Sequence, residues 1–500
     1  MSPRLTFLRK AACAVLLVVV ADLLFYGQEP GWTLGAFALS WTAGLCAAVP
    51  AMRQSSAVVL LLAGALGLVL VDDPNPLAWV LFWTAVASAA LLPRLGFDDA
   101  LRWGLRLATY ALAGPFRPLV DLGRLVRRQR PPGGVMGILG LLVLPVTGSL
   151  VFGALFAVAN PLIGNALNRV ELPSLWSAVF HGVFWCAVIA IVWPSLRPWS
   201  VRLDRLPGTA VAVPSLPMAT LRLSLLAFNA LFAVQNALDI AFLWSGAPLP
   251  AGVTLADYAH RGAYTLIATA LLAGAFVLVA FTPGSPAARS ATIRRLVVLW
   301  VTQNVLLVAS SILRLLDYIA AYSLTELRIA ALAWMALVAV GLVLVAVRLS
   351  GERTTAWLIN ANAAAAAIVL LLASVVDLGA VSASWNVRHA RAGDQLDLCY
   401  LNRLDDSALL PLIELERRAG GPVLRDRARY LRQGAMDGLE HEQADWHSWS
   451  WRGARRLAAA RALTVGMPAT LRPFPNGRSC DGSINPPPPQ ITALTPEPQQ

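Results

Sequence analysis

The sequence predicts an all-α protein: a polytopic transmembrane helical bundle of about eleven spans, followed by a small helical extracytoplasmic C-terminal domain. Three observations predict it. Hydrophobic residues make up 57% of the chain and charged residues only 14%, against roughly 25% charged in an average soluble domain. Apolar runs of about 20 residues, the length that crosses a bilayer, recur along the chain. Arginines collect in alternate loops between those runs. The net charge of +12 is almost wholly arginine, with Lys10 the one lysine. In a membrane protein such charge records orientation, because cytoplasmic loops retain it. Nucleic acid is therefore not an expected partner.

The chain opens with MSPRLTFLRK before the apolar run AACAVLLVVVADLLFY. This has the outline of a signal peptide, yet no small-x-small cleavage site follows and Asp22 sits late in the run. It reads as an uncleaved first span, 8–26. Further spans are expected at 32–51, 56–71, 76–93, 136–159, 175–195, 219–244, 264–282, 296–315, 328–347 and 357–378, the third of them short. The domains follow as 1–93, N-terminal helices; 94–135, a cytoplasmic basic segment; 136–378, the core helical domain; 379–484, the extracytoplasmic helices; and 485–500, a Pro-rich disordered tail.

Residues 94–135 are not a span, because Arg102, Arg106, Arg117, Arg124, Arg127, Arg128 and Arg130 interrupt the apolar positions. Over 117–128, Arg117, Arg124 and Arg128 fall on one helical face, with Leu119, Leu122 and Val126 on another. That pattern predicts a basic amphipathic helix on the inner leaflet, attracted by anionic lipid. With a cytoplasmic N-terminus, the inside loops hold nearly all the arginines, and the outside loops include the acidic pair Asp72-Asp73. An odd number of spans then places the segment from about 379 outside the cytoplasm, with the inner membrane of a bacterium as the expected location.

The two runs within 221–281 form a hairpin around which the rest is organised. Its first helix carries Asn229, Gln235, Asn236 and Asp239 in otherwise apolar surroundings, and its loop adds Tyr258, His260, Arg261 and Tyr264. Polar groups at membrane depth are costly and normally face a bundle interior or a cavity. Asn236 and Asp239, three apart, share a helical face. On a later span Arg314 and Asp317 are followed by Tyr318 and Tyr322. Asp239, His260, Arg261, Arg314, Asp317 and Asp377 are all expected near the outer boundary. They either pair into a structural network, Arg314 with Asp317 and Arg261 with Asp239, or line a site open to the outside. The candidate ligand-binding set is Asp239, Asn236, Tyr258, His260, Arg261, Arg314, Asp317 and Tyr318.

Beyond 379 the period becomes that of soluble helices: Leu396, Leu398, Leu401 and Leu404, then Leu409, Leu410 and Ile413, then a stretch over 424–438. A further helix is expected over ADWHSWSWRGARRLAAARAL, its Trp446, Trp449 and Trp451 anchoring at the membrane interface. Of the five cysteines, Cys13, Cys46 and Cys186 lie in apolar runs. Cys399 and Cys480 lie in the C-terminal segment, where an oxidising compartment would join them. No cysteine pair has metal-site spacing, and no cofactor motif is present.

The runs FNALFAVQNALDIAFLW, LPAGVTLADYAHRGAY, TQNVLLVASSILRLLDYIAAYSLTELR, WNVRHA and LDLCYL resemble a bacterial family of multi-pass inner-membrane proteins known as a domain of unknown function. The likeness covers roughly 130–460, and YAHRGAY and SLTELR are its most specific parts. It implies an inner-membrane, many-helix protein and carries over no catalytic residue.

Three function classes stay open. A transporter would use Asp239 as a proton or cation site, with Arg261 or Arg314 holding an anionic group, although the spans show no mid-depth Gly/Pro break. An enzyme acting on a lipid-linked substrate at the outer leaflet would draw on Asp72-Asp73, but no nucleophile triad, phosphate-cradling loop or metal cluster accompanies the pair. A non-catalytic sensor, scaffold or envelope-assembly protein would bind a protein partner in the envelope. The expected partners are membrane lipid and a small solute or lipid-linked ligand.

Overall fold

The computed structural model describes residues 3–128, 148–149, 173–199, 217–244, 272, 290–351, 353–390, 396–468 and 477–486. Among them the secondary structure is helical. The described residues include no β-strand, and among them one isolated antiparallel pairing joins Arg478 and Ile484. The chain divides into two compact units, Met1–Ala212 with Trp446–Trp451, and Val213–Asp445 with Arg452–Gln500.

Among the described residues, six helices are long and apolar enough to cross a membrane: Pro76–Leu95, Ser177–Leu196, Met218–Trp244, Ala291–Tyr322, Glu326–Arg348 and Thr355–Val375. The protein is therefore a multi-pass membrane protein. Thr33–Ala48 and Ala57–Asp72 are apolar but only 16 residues each. Apart from 148–149 and 272, the regions expected as spans at 136–159 and 264–282 lie outside the described residues, as does the tail 487–500. Many large apolar side chains, among them Val58, Leu61, Leu68, Val80, Leu231 and Val343, are exposed. In water such a surface would aggregate; against acyl chains it needs no cover.

The first unit contains α1 (Pro3–Phe25), α2 (Thr33–Ala48), α3 (Pro50–Ser55), α4 (Ala57–Asp72), α5 (Pro76–Leu95), α6 (Ala100–Ala113), α7 (Arg117–Arg128) and α8 (Pro173–Leu196). Lipid offers no hydrophobic drive for helices to associate, so close packing and buried hydrogen bonds hold them. Both are present. A Cβ on Gly35 would lie 2.4 Å from Val71 and 2.6 Å from the Gly67 carbonyl, so glycine lets α2 and α4 touch. Trp41, fully buried, donates from Nε1 to Ser195 Oγ at 2.9 Å and meets Phe82 edge-on. Asn75 caps α5 through the Ala78 amide, and Asp99 caps α6 through that of Arg102.

The aromatic segment expected as part of one helix is not helical. A helix ends at Ala444 and another begins at Trp451, and the intervening turn docks on the start of α2. Gly31 N donates to the His447 carbonyl at 2.8 Å and Trp32 N to that of Trp449 at 2.6 Å. Trp32 and Trp449 meet edge-on. The backbone groups ahead of α2 need partners, and this turn supplies them, which outweighs the helical period of the tryptophans. Trp446 and Trp451 remain exposed.

The second unit contains α9 (Met218–Asp239), α10 (Ala291–Tyr322), α11 (Glu326–Ser350), α12 (Thr355–Val375), α13 (Leu378–His389), α14 (Leu398–Arg403), α15 (Leu409–Arg418), α16 (Pro422–Ala444) and α17 (Trp451–Thr464). Ser290, Thr325, Thr354, Asp377 and Asp397 cap α10 to α14 in that order. In α9 and α10, Phe228 stacks on Trp300 and Phe232 meets it edge-on. The C-terminal helices bury Leu398, Leu401, Leu404, Leu412 and Leu415 in one core, and Leu409, Ile413, Leu439 and Leu457 in another. A disulfide joins Cys399 and Cys480, whose Cα atoms are 4.9 Å apart. Arg456 pairs with both Asp377 and Asp406. Burial pushes the Asp406 carboxyl above its usual range, against the pull of Arg456.

A polar band between two membrane helices

The polar residues of α9 meet those of α10 along a single seam. Nearest the N-terminal end of α9, Asn229 Nδ2 donates to the Leu296 carbonyl at 3.0 Å and Asn229 Oδ1 accepts from Gln303 Nε2 at 2.9 Å. Two turns on, Asn236 Nδ2 donates to the Gln303 carbonyl at 3.3 Å. One further turn brings Asp239, which is 1% exposed and pairs through Oδ1 with Arg314, 7% exposed. Gln235 Nε2 also donates to Asp239 Oδ1, at 3.0 Å. The spacing accounts for the seam, since residues three, four and seven apart recur on one face.

Immediately after Asp239 the helix changes period. Ile240–Trp244 forms a π-helical turn, a feature that widens the helix and often marks a functional position. Trp244 Nε1 then donates to Ser310 Oγ at 3.1 Å. Asp239 thus sits at the point where α9 changes shape, opposite the buried guanidinium of α10.

Three buried acceptors in this band have no hydrogen-bond partner: Asn236 Oδ1, Gln303 Oε1 and Asp239 Oδ2. An orphaned buried polar atom costs about 1–3 kcal/mol. Three along one seam describe a place where donors, or a cation, would be stabilised.

The remaining expected site residues are arranged differently. Arg314 pairs with Asp239 and not with Asp317, because Arg314 faces the α9 seam while Asp317 is exposed on the same helix. Tyr318 carries the Arg328 guanidinium 4.4 Å from its ring centroid and packs on Tyr322. Asp377 joins Arg456 and Ser407 instead of the Asp239 seam. Tyr258, His260 and Arg261 lie outside the described residues. Asp73 accepts from Asn75 Nδ2 at the end of α4, as a helix-ending turn does. Among the described residues no group of His, Cys, Asp and Glu could hold a metal ion.

Sequence reading missed what the SLTELR stretch does. Ser323 adopts a left-handed backbone (φ 70°) and Thr325 caps α11. Asn386, from WNVRHA, clamps Leu324 with two hydrogen bonds, 2.6 Å from its amide and 2.8 Å to its carbonyl. Tyr400, from LDLCYL, accepts from the Glu326 amide at 3.0 Å. Three motifs scattered through the sequence therefore build one turn. An asparagine two-handed on a backbone is invisible to spacing, because its partner lies 62 residues away.

A family model described as a domain of unknown function, DUF4153, matches residues 37–415. The chain belongs to that family. The matched stretch starts well before the 130–460 of the resemblance and stops short of its end. It includes Asp239, Arg314 and the whole SLTELR turn, and leaves α16 and α17 outside. No curated protein and no solved structure matches the chain.

Proposed function

We propose that the chain is a bacterial inner-membrane protein whose second unit binds a small solute or ion at Asp239, in the manner of a transporter. The observation that carries this reading is the buried Asp239–Arg314 pair beside three unpartnered acceptor oxygens. A charge pair kept at membrane depth is expensive and is usually functional. Its unfilled acceptors call for a donor such as a proton-bearing group, an ammonium or a hydrated cation.

The proposal includes eleven spans, a cytoplasmic N-terminus and an extracytoplasmic C-terminal domain over 379–484. The loop arginines support that orientation. So does the Cys399–Cys480 disulfide, since disulfides persist in oxidising compartments. Helix length fits as well. Arg295 and Arg314 are nineteen residues apart on α10, about 28 Å at 1.5 Å per residue, close to the roughly 30 Å hydrocarbon thickness. With Arg294 and Arg295 at the inner boundary, Arg314 and Asp239 come to the outer one.

Native mass spectrometry of the gently extracted protein tests the reading, comparing wild type with Asp239→Asn and Asn236→Ala. A co-purifying species bound to wild type and lost from both variants is the expected result, and its mass separates a small solute from a lipid-linked molecule. Wild type and folded variants all without a bound species would shift the function to the C-terminal helices, as a scaffold or sensor.

A further inference from the structure

The first unit holds a second concentration of charge, remote in sequence from Asp239. Asp121 on α7 is 3% exposed. Arg117, Arg124 and Arg197 reach it at 3.3, 3.7 and 3.4 Å, and Trp193 Nε1 donates to it at 3.1 Å. Arg94, at the end of α5, donates to the Pro198 carbonyl at 2.5 Å and feels the charges of Arg117 and Arg197. Lys10 lies within electrostatic reach of Arg94 and Arg197. Five cations from four separate stretches of chain thus gather here, and three of them share one carboxylate.

Aromatic rings fix two of these cations in place. The Arg197 guanidinium stands 5.3 Å from the centroid of Phe7, and that of Arg117 stands 5.5 Å from Trp199. Ordered cations in partly desolvated surroundings repel one another more strongly than in water, and an anion relieves that repulsion. Alongside them Leu112, Phe116, Leu119 and Leu122 of the α6–α7 stretch are exposed. A free phosphate would answer the charge and leave those side chains in water. A phospholipid answers both.

We propose that the first unit carries a discrete site for one anionic phospholipid. Its headgroup phosphate is held by Arg94, Arg117, Arg197 and Lys10, and its acyl chains run against Phe116 and Leu119. Asp121 is a positioning residue that gathers the arginines and leaves most of their charge uncompensated. The 94–135 segment then does more than lie on a charged leaflet: it completes a built headgroup site.

The full chain, purified in neutral detergent, is titrated with dioleoyl phosphatidylglycerol, with dioleoyl phosphatidylcholine and with inorganic phosphate. Thermal unfolding and lipid-bound mass peaks are read. Wild type should gain thermal stability with phosphatidylglycerol and gain none with the other two. Arg197→Gln and Arg94→Gln should each weaken phosphatidylglycerol binding about fivefold, the worth of one cation at a membrane surface. Arg388→Gln, at a side chain 64% exposed on α13, should bind it as wild type does. If Arg197→Gln does not fold, Arg94→Gln and Lys10→Gln give the answer. Equal binding by the variants, equal response to phosphatidylcholine, or matching protection by inorganic phosphate would each overturn the proposal.

Discussion

At the scale of single residues, Asp239 and Arg314 are each other's condition for being buried. Removing one partner of a buried ion pair leaves an uncompensated charge and costs about 3–5 kcal/mol, whereas replacing both can be close to neutral. Asp239→Asn and Arg314→Met should therefore each lower unfolding stability in detergent, and the double variant should lose much less than their sum. Additive losses in that cycle would mean that the two side chains are uncoupled. Asp239 was legible in the sequence as a carboxylate within an apolar run. Its partner was not, because the i, i+3 spacing of Arg314 and Asp317 offered a nearer answer than a residue 75 positions away. Asp121 was hidden for a like reason. In a basic loop it reads as a solvated aspartate, and only the packing of α7 against α8 brings Trp193 and Arg197 to it.

At the scale of elements, helix positions and caps were largely written in the sequence, since apolar runs and Ser, Thr, Asn or Asp at N-caps are local signals. Connections were less legible. The turn at 446–451 breaks what the tryptophan spacing predicts as one helix, because its backbone serves α2 instead. Gly31 is where that docking is tightest, since a Cβ there would lie 2.3 Å from the Ser448 carbonyl carbon. Gly31→Ala should release the turn and cost about 1–3 kcal/mol, the range for overpacking. The readout is faster limited proteolysis between α16 and α17, with Gly64→Ala, whose Cβ would meet nothing within 4 Å, as the control. Equal cleavage of both variants would show that the turn is held by other contacts.

At the scale of the whole molecule, composition established membrane insertion more securely than any single segment did. Among the described residues, six helices meet the length and hydropathy a span requires. Two further apolar helices of 16 residues fall short of the roughly 20 that cross unaided. The proposed orientation rests on loop charge and on the disulfide. A reporter active only in the cytoplasm, fused after Gln500, should be silent, and one active only in an oxidising compartment should give signal. The opposite pattern would invert the topology and place the Asp239 band at the inner boundary.

The docking of 446–451 on α2 also sets a clock. Trp32 and its partner Trp446 are 414 residues apart. At about 5–20 residues per second, synthesis of that interval takes roughly 20–80 s. Throughout it, the amides of Gly31 and Trp32 wait without the carbonyls they finally meet. The first unit begins to form with α1 and is completed only once residues 446–451 are made. A chain that stops before about residue 450 therefore has a first unit still open at the entrance to α2.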